Sequence, residues 1–348
     1  MDQSRIMSRL SARGRAGREK KAGIYVRAAA SYLGAGACLF WVFHDIHLHE
    51  FLTAMTRIQW LLLLLCIFLE FVTYFCVAWE WQLLLRPAGA LSLRRTMQSV
   101  LAGRFANDAL PLQTGYLVRA TLAARWMGVS MISVFPSLII ERLWDGIWLA
   151  AGIGLAALLL PLPPAVLHAA SLFGGIVLAG TGMTVFLILR RSRASSQSVQ
   201  PPAERFQRIR FAIRHLSDGM RDVGRFGLLM PVVGLSVLKL VVQAAAFLVL
   251  LRAYNFHLPV AVGMAVFLVG YLGICVPSTP AGTGMFQMFV VAGLTLFGIS
   301  KSVAASFALV AFVIITVPLA IAGFFALAQS GVRLGKVKSQ IRQLNVSD

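Results

Sequence analysis

Glu141, Arg142 and Asp145 fall within one helical turn of a run that is otherwise apolar, from Met131 to Leu160. Glu141 and Asp145 share a helix face at i, i+4, and Arg142 reaches Asp145 at i, i+3. Ten residues of helix separate Glu141 from Met131, a rise of about 15 Å, which is half the thickness of a bilayer's hydrocarbon core. A charge at that depth costs at least about 2.5–3.5 kcal/mol, so three in one turn require partners or water. Arg104 and Arg119, in the segment just before, are the natural cationic partners. Lys239 and Gln243, also at i, i+4, can face the same place from a later apolar run. Two readings follow: a polar cavity that admits a charged headgroup, or an ion-pair network that pins one helix to another. Glu70 and Glu80 are weaker candidates, with Glu80 expected near the membrane interface.

Two polar interruptions accompany these charges. The first, "RFANDALPLQTGYLVRA", carries Arg104, Asn107, Asp108, Pro111, Gly115 and Arg119; the second, "CVPSTPAGTGMFQ", carries Pro277, Ser278, Thr279, Pro280, Gly282, Gly284 and Gln287. Each has Pro-x-x-x-Gly followed by Gly-aliphatic-Ser and then a long apolar run. From Pro to that later Gly is 17 residues in one and 18 in the other. Pro breaks a helix and Gly admits close backbone approach. The order therefore predicts an internal repeat of two broken helical hairpins whose tips, at Asn107, Asp108, Ser278 and Thr279, can meet near the midplane around a substrate's polar group. The plainer reading is a pair of interfacial turns.

The elements that must position these residues are membrane helices. The 348 residues are 58% hydrophobic and 13% charged, about half the charge of a soluble domain, with a mean hydropathy of +0.79. The expected fold is all-α and polytopic: about six full spans plus the two hairpins, related as an inverted repeat. The full spans lie near 25–43, 58–85, 131–160, 169–189, 228–251 and 303–328, and the short runs at 92–130, 258–274 and 285–297 form the hairpins. The expected organisation is a basic cytoplasmic tail (1–24), a single transmembrane domain (25–330) and a second basic tail (331–348). A cytoplasmic loop at 190–226 interrupts the domain. In its second half, Phe206, Ile209, Ile213 and Leu216 recur at helical spacing among arginines, a pattern for a helix lying on an anionic leaflet. With Lys+Arg 32 against Asp+Glu 13, the basic segments all fall between apolar runs, which puts both termini in the cytoplasm. That distribution argues against nucleic acid as a partner.

Cys38, Cys66, Cys76 and Cys275 all sit in apolar runs and form no CxxC, so they read as buried thiols. The loop "HDIHLHE" crowds His44, Asp45, His47 and His49 too tightly for a preorganised metal site. HExxH, GxSxG and P-loop patterns are missing, which points away from an enzyme and from any cofactor or metal.

The ordered set Asn107-Asp108-x-Leu110-Pro111-x-x-x-Gly115-x-x-x-Arg119, Glu141-Arg142-x-x-Asp145, Pro280-x-Gly282-x-Gly284 and Phe297-Gly298-Ile299-Ser300 resembles the lysylphosphatidylglycerol synthase transmembrane-region family, also called flippase-like or UPF0104 proteins. The resemblance covers about residues 25 to 330. It implies a multi-pass protein of the bacterial inner membrane, related to proteins that move aminoacylated phospholipids between leaflets, here without the aminoacyl-transferase domain. Phospholipid or a polyprenyl-linked lipid is then the expected partner. The chain departs from the family's pattern at Gln113, Tyr116 and Gln287, where charged residues are usual. The expected activity is lipid movement without an energy source of its own. An accessory subunit of a lipid-modifying or glycosyl-transferring enzyme, and a small-solute transporter, are the alternatives.

Overall fold

The computed structural model describes residues 32–109, 114–159, 164–189, 228–275 and 282–331. Both basic tails, the cytoplasmic loop with its expected amphipathic helix, and Pro111, Pro277, Ser278, Thr279 and Pro280 at the hairpin tips lie outside the described residues. Every regular element within them is helical. In chain order these are α1 (Tyr32–Phe43), α2 (Leu48–Thr56), α3 (Trp60–Leu85), α4 (Leu93–Ala109), α5 (Gly115–Met127), α6 (Met131–Leu159), α7 (Pro164–Leu189), α8 (Leu229–Ala253), α9 (Val260–Cys275), α10 (Met285–Leu296) and α11 (Lys301–Gln329).

Of these, α3, α8 and α11 are each long and apolar enough to cross a membrane. The 29 residues of α6 and the 26 of α7 also exceed the roughly 20 that a bilayer requires. Large apolar side chains stand exposed around the outside, among them Leu61 and Leu64 on α3, Leu172 and Leu178 on α7, and Phe324 and Phe325 on α11. In a polytopic protein that surface belongs to lipid. Local chemistry sets several helix ends. Pro87, which has no N–H to continue a helix, follows the end of α3. Gly128 closes α5 with φ 69°, and Ser300 Oγ accepts the Val303 N–H to open α11.

The two interrupted stretches are helical hairpins. The arms α4 and α5 hold 17 and 13 residues, and α9 and α10 hold 16 and 12. At 1.5 Å per residue each arm is about 18–26 Å long, short of a core of about 30 Å. Both hairpins close through glycine at matching places. Gly103 backs onto the Gly115 carbonyl in the first, and Gly273 backs onto the Met285 carbonyl in the second.

The helices α3 and α8 form the centre. Gln59 N–H, just before α3, donates to the Ala253 carbonyl; Cys66 lies against Ala246, and Glu80 against Ser236 and Lys239. Rising numbers on α3 meet falling numbers on α8, so the two are antiparallel. Exchanging α3 with α8, α4 with α9, α5 with α10 and α6 with α11 turns every packed pair among these eight helices into another packed pair. For example, α4 packs on α11, and α9 packs on α6. A two-fold operation that exchanges antiparallel helices has its axis perpendicular to them, in the plane of the membrane. The expected inverted repeat is therefore present in the packing.

The larger core lies in the second half, where Tyr254 and Phe256 pack their rings on Phe307 and Phe247 packs on both Phe267 and Phe307. A smaller core beneath Trp81, Leu84, Leu85 and Leu138 supports the first hairpin.

Candidate functional site

Between the halves lies a cavity of about 700 Å³, within the range of small-molecule sites. One wall is charged. From α4 it receives Arg104, Asn107 and Asp108; from α5 Gly115, Tyr116 and Arg119; from α6 Glu141, Arg142 and Asp145; from α8 Lys239 and Gln243. The rest of the lining is largely apolar and includes Phe173, Phe247, Phe267, Phe286, Ile314 and Ile315. Gly282, at the start of the second hairpin's outgoing arm, also lines it.

The charges form a connected network. Arg119 holds Glu141 by two parallel bonds, Nη1 to Oε1 at 2.9 Å and Nη2 to Oε2 at 2.6 Å. This is the fork geometry that makes Arg–carboxylate pairs strong. The Arg119 guanidinium also lies 3.9 Å from the centre of the Trp81 ring, and Trp81 is fixed by donating Nε1–H to Ser137 Oγ. Arg142 reaches Asp145 at 3.3 Å and Glu141 at 3.7 Å. Its side chain is 49% exposed and lies over the Tyr116 ring. Lys239 donates to Glu80 at 2.8 Å and to Asp145, and Ser236 Oγ–H donates to the other Glu80 oxygen at 2.6 Å. The chain α5–α6–α8–α3 is thus tied by charge as well as by packing.

Several placements differ from those the spacing suggests. Arg104 does not join Glu141 or Asp145. Its Nε–H donates to Asp108 at 2.9 Å, one turn along its own helix, and its Nη1–H donates to Tyr74 Oη. Glu80 is no weak surface candidate but is fully buried beneath Lys239. Arg119 selects Glu141, not Asp145. Gln287 does not line the cavity. It is buried, and its Oε1 accepts the Gly284 N–H at 2.7 Å, closing the first turn of α10. Asn107 does double duty: it lines the cavity while its Oδ1 accepts the Gly115 N–H at 2.7 Å.

The two hairpin glycines work differently. A Cβ on Gly115 would overlap the Gly103 carbonyl oxygen and the Asn107 carboxamide. Gly284 has φ 88° and sits against the Ala35 backbone of α1, a conformation L side chains rarely adopt. Tyr74, Tyr116 and Trp81 are site residues that charge spacing alone does not find. For Tyr116 the signal was its departure from the charged residue usual there. For Gln287 it was the N-cap to N3 spacing from Gly284.

An apolar helical protein with a charged cavity between inverted halves defines a class, the polytopic helical membrane proteins. The model of the lysylphosphatidylglycerol synthase TM region matches residues 27–323, and the chain belongs to that family. The family places it in a membrane and relates it to lipid handling. No curated protein sequence matches the chain.

Proposed function

We propose that this protein moves a phospholipid or a polyprenyl-linked lipid between leaflets, passing the headgroup through the cavity between the hairpins. The observation that carries the reading is a cavity lined by both charged and apolar side chains. Its charged wall offers a phosphate or other polar headgroup the half-exposed Arg142 and the amide of Gln243. Phe247, Phe267, Phe286, Ile314 and Ile315 offer an acyl or prenyl chain an apolar surface. A small polar solute has no use for that apolar lining. The other charges, in this reading, position these groups, and the proposed activity is transport and not catalysis. In this reading the protein lies in a bacterial inner membrane with both termini in the cytoplasm, and it draws on existing gradients.

Reconstitution tests this. Liposomes holding fluorescent headgroup-varied lipids are treated with an impermeant quencher. The protein is expected to bring the inner-leaflet fluorophore into reach at a rate set by protein density. Rates equal to protein-free liposomes for every lipid offered would refute lipid movement, and a stably copurifying enzyme would then favour an accessory subunit.

A further inference from the structure

Glu70 differs from every other acidic residue at the cavity. It lies on α3, is 5% exposed and lines the cavity wall. Asp108, Glu141 and Asp145 are each held by an arginine or a lysine, as is Glu80 behind the wall. Glu70 has no hydrogen bond or ion pair with any described residue.

The cationic groups that line the cavity beside α3 are already engaged. Arg104 of α4 is shared by Asp108 and Tyr74. Arg142 of α6 is shared by Asp145 and Glu141, and Arg119 of α5 is held by Glu141. Lys239 of α8 is shared by Glu80 and Asp145. Beyond Lys301, α11 carries no charge. On α3 itself the neighbouring titratable side chains are Cys66 and Tyr74, both lining the cavity.

A buried carboxylate without a partner neutralises itself by binding a cation. A metal ion would need several more oxygen ligands, and no three His, Cys, Asp or Glu side chains converge to hold one among the described residues. A proton needs only the carboxylate and a water in the cavity.

We propose that Glu70 is a proton-binding site through which the membrane's proton gradient acts on cargo movement, an inference that rests on the lipid-moving reading above. The carboxylate takes H⁺ from cavity water on the side to which the cavity opens, forming one O–H bond. It returns that proton to water on the other side when the hairpins exchange access. Tyr74, one turn along α3, links this event to the first hairpin, because its hydroxyl accepts from Arg104. Ionised Glu70 competes with Asp108 for Arg104, whereas protonated Glu70 leaves the Arg104–Asp108 pair alone.

Infrared difference spectroscopy on the full-length protein in nanodiscs tests the site without requiring transport. A carboxylic-acid C=O band is expected to rise and fall reversibly as the bulk pH is cycled. It should be absent from Glu70→Gln. If that variant does not fold, ¹³C-labelled glutamate in the native protein should shift the band, identifying it as a glutamic acid. Identical spectra for native and variant protein, or an unshifted band, would overturn the proposal. So would a band that appears only when sodium is withdrawn, which would assign the site to a metal cation. In proteoliposomes containing fluorescent phospholipid, reversing an imposed pH gradient should change the native protein's rate at least severalfold; equal rates in both directions would overturn the coupling. A titrating band with no lipid movement would instead sink the lipid-moving reading and leave the proton site standing.

Discussion

The two inverted halves share a backbone plan and differ in what they place on it. Aligned on Pro111 with Pro280 and on Gly128 with Gly298, Arg119 of the first half corresponds to Met288 of the second. Glu141, Arg142 and Asp145 correspond to Ala311, Phe312 and Ile315. Where the first half has a forked ion pair, the second has apolar packing, with the Phe286 and Phe312 rings 6.4 Å apart. Lys239 is the second half's one charged contribution to the described cavity wall, and it occupies the position that matches Glu70 on α3. The repeat supplies the breaks, and the two hairpins differ in the side chains placed on them. One presents charge and the other mostly hydrocarbon to the cavity, and the proposed lipid movement calls on both.

The largest effect is expected where the halves are joined by charge. Lys239→Met leaves Glu80 and Asp145 without their shared ammonium. Breaking a buried pair costs about 3–5 kcal/mol, and here two carboxylates lose a partner. Thermal unfolding in detergent should show a large loss, partly restored by adding Glu80→Gln. A variant as stable as the native protein would mean that the bridge between α3 and α8 does not hold the halves.

Next comes a transplant of second-half residues into the first. Arg119→Met alone leaves Glu141 only the longer 3.7 Å contact of Arg142 and should cost about 3–5 kcal/mol. Arg119→Met with Glu141→Ala, which copies Met288 and Ala311, removes both charges and should recover most of that loss, since apolar replacement of a whole buried pair is often neutral. Lipid movement should nonetheless fall at least about tenfold, equivalent to a loss of 1.4 kcal/mol. A double variant whose stability is the sum of its singles would show that Arg119 and Glu141 are not coupled. One that folds and still moves lipid at the native rate would remove the charged wall from the mechanism.

The glycines give a smaller effect. Gly115→Ala places a methyl group against the Gly103 carbonyl, and overpacking of this kind costs about 1–3 kcal/mol. Gly103→Ala should behave alike, because the same crossing is crowded from its other side. Neutral outcomes at both would mean that the hairpin crosses less tightly than Gly103 and Gly115 indicate.

How far the sequence reached follows the range of each interaction. The helical runs, both breaks and the Glu141–Arg142–Asp145 face were legible because they depend on spacings of three or four residues. So, in principle, were the Arg104–Asp108 pair at i, i+4 and the Gln287 cap, since each is local. The choice of Glu141 over Asp145 by Arg119 depends on how α5 crosses α6. The union of Lys239 with Glu80 joins residues 159 apart, which no periodicity encodes. Glu80 looked peripheral because its position along α3 is near the helix end. The antiparallel contact of α3 with α8 buries it.

The gentlest test leaves the charges untouched and reads the inversion itself. Single cysteines at Ser196, Ser347 and His47 should label from opposite sides, the first two from the cytoplasm and the third from outside. Opposite sidedness of Ser196 and Ser347 would require an odd number of crossings between them and would break the inverted relation of the hairpins.

The central claim is that lipid passes through the cavity between the halves. In a background lacking the four native cysteines, Gln243→Cys places a thiol on the cavity wall, and Leu172→Cys places one on the exposed, lipid-facing side of α7. Each protein is reconstituted with fluorescent lipid and treated with a bulky thiol reagent. The account predicts that modification at 243 stops lipid movement while modification at 172 leaves it unaltered. Undiminished movement after complete modification at 243 would contradict it.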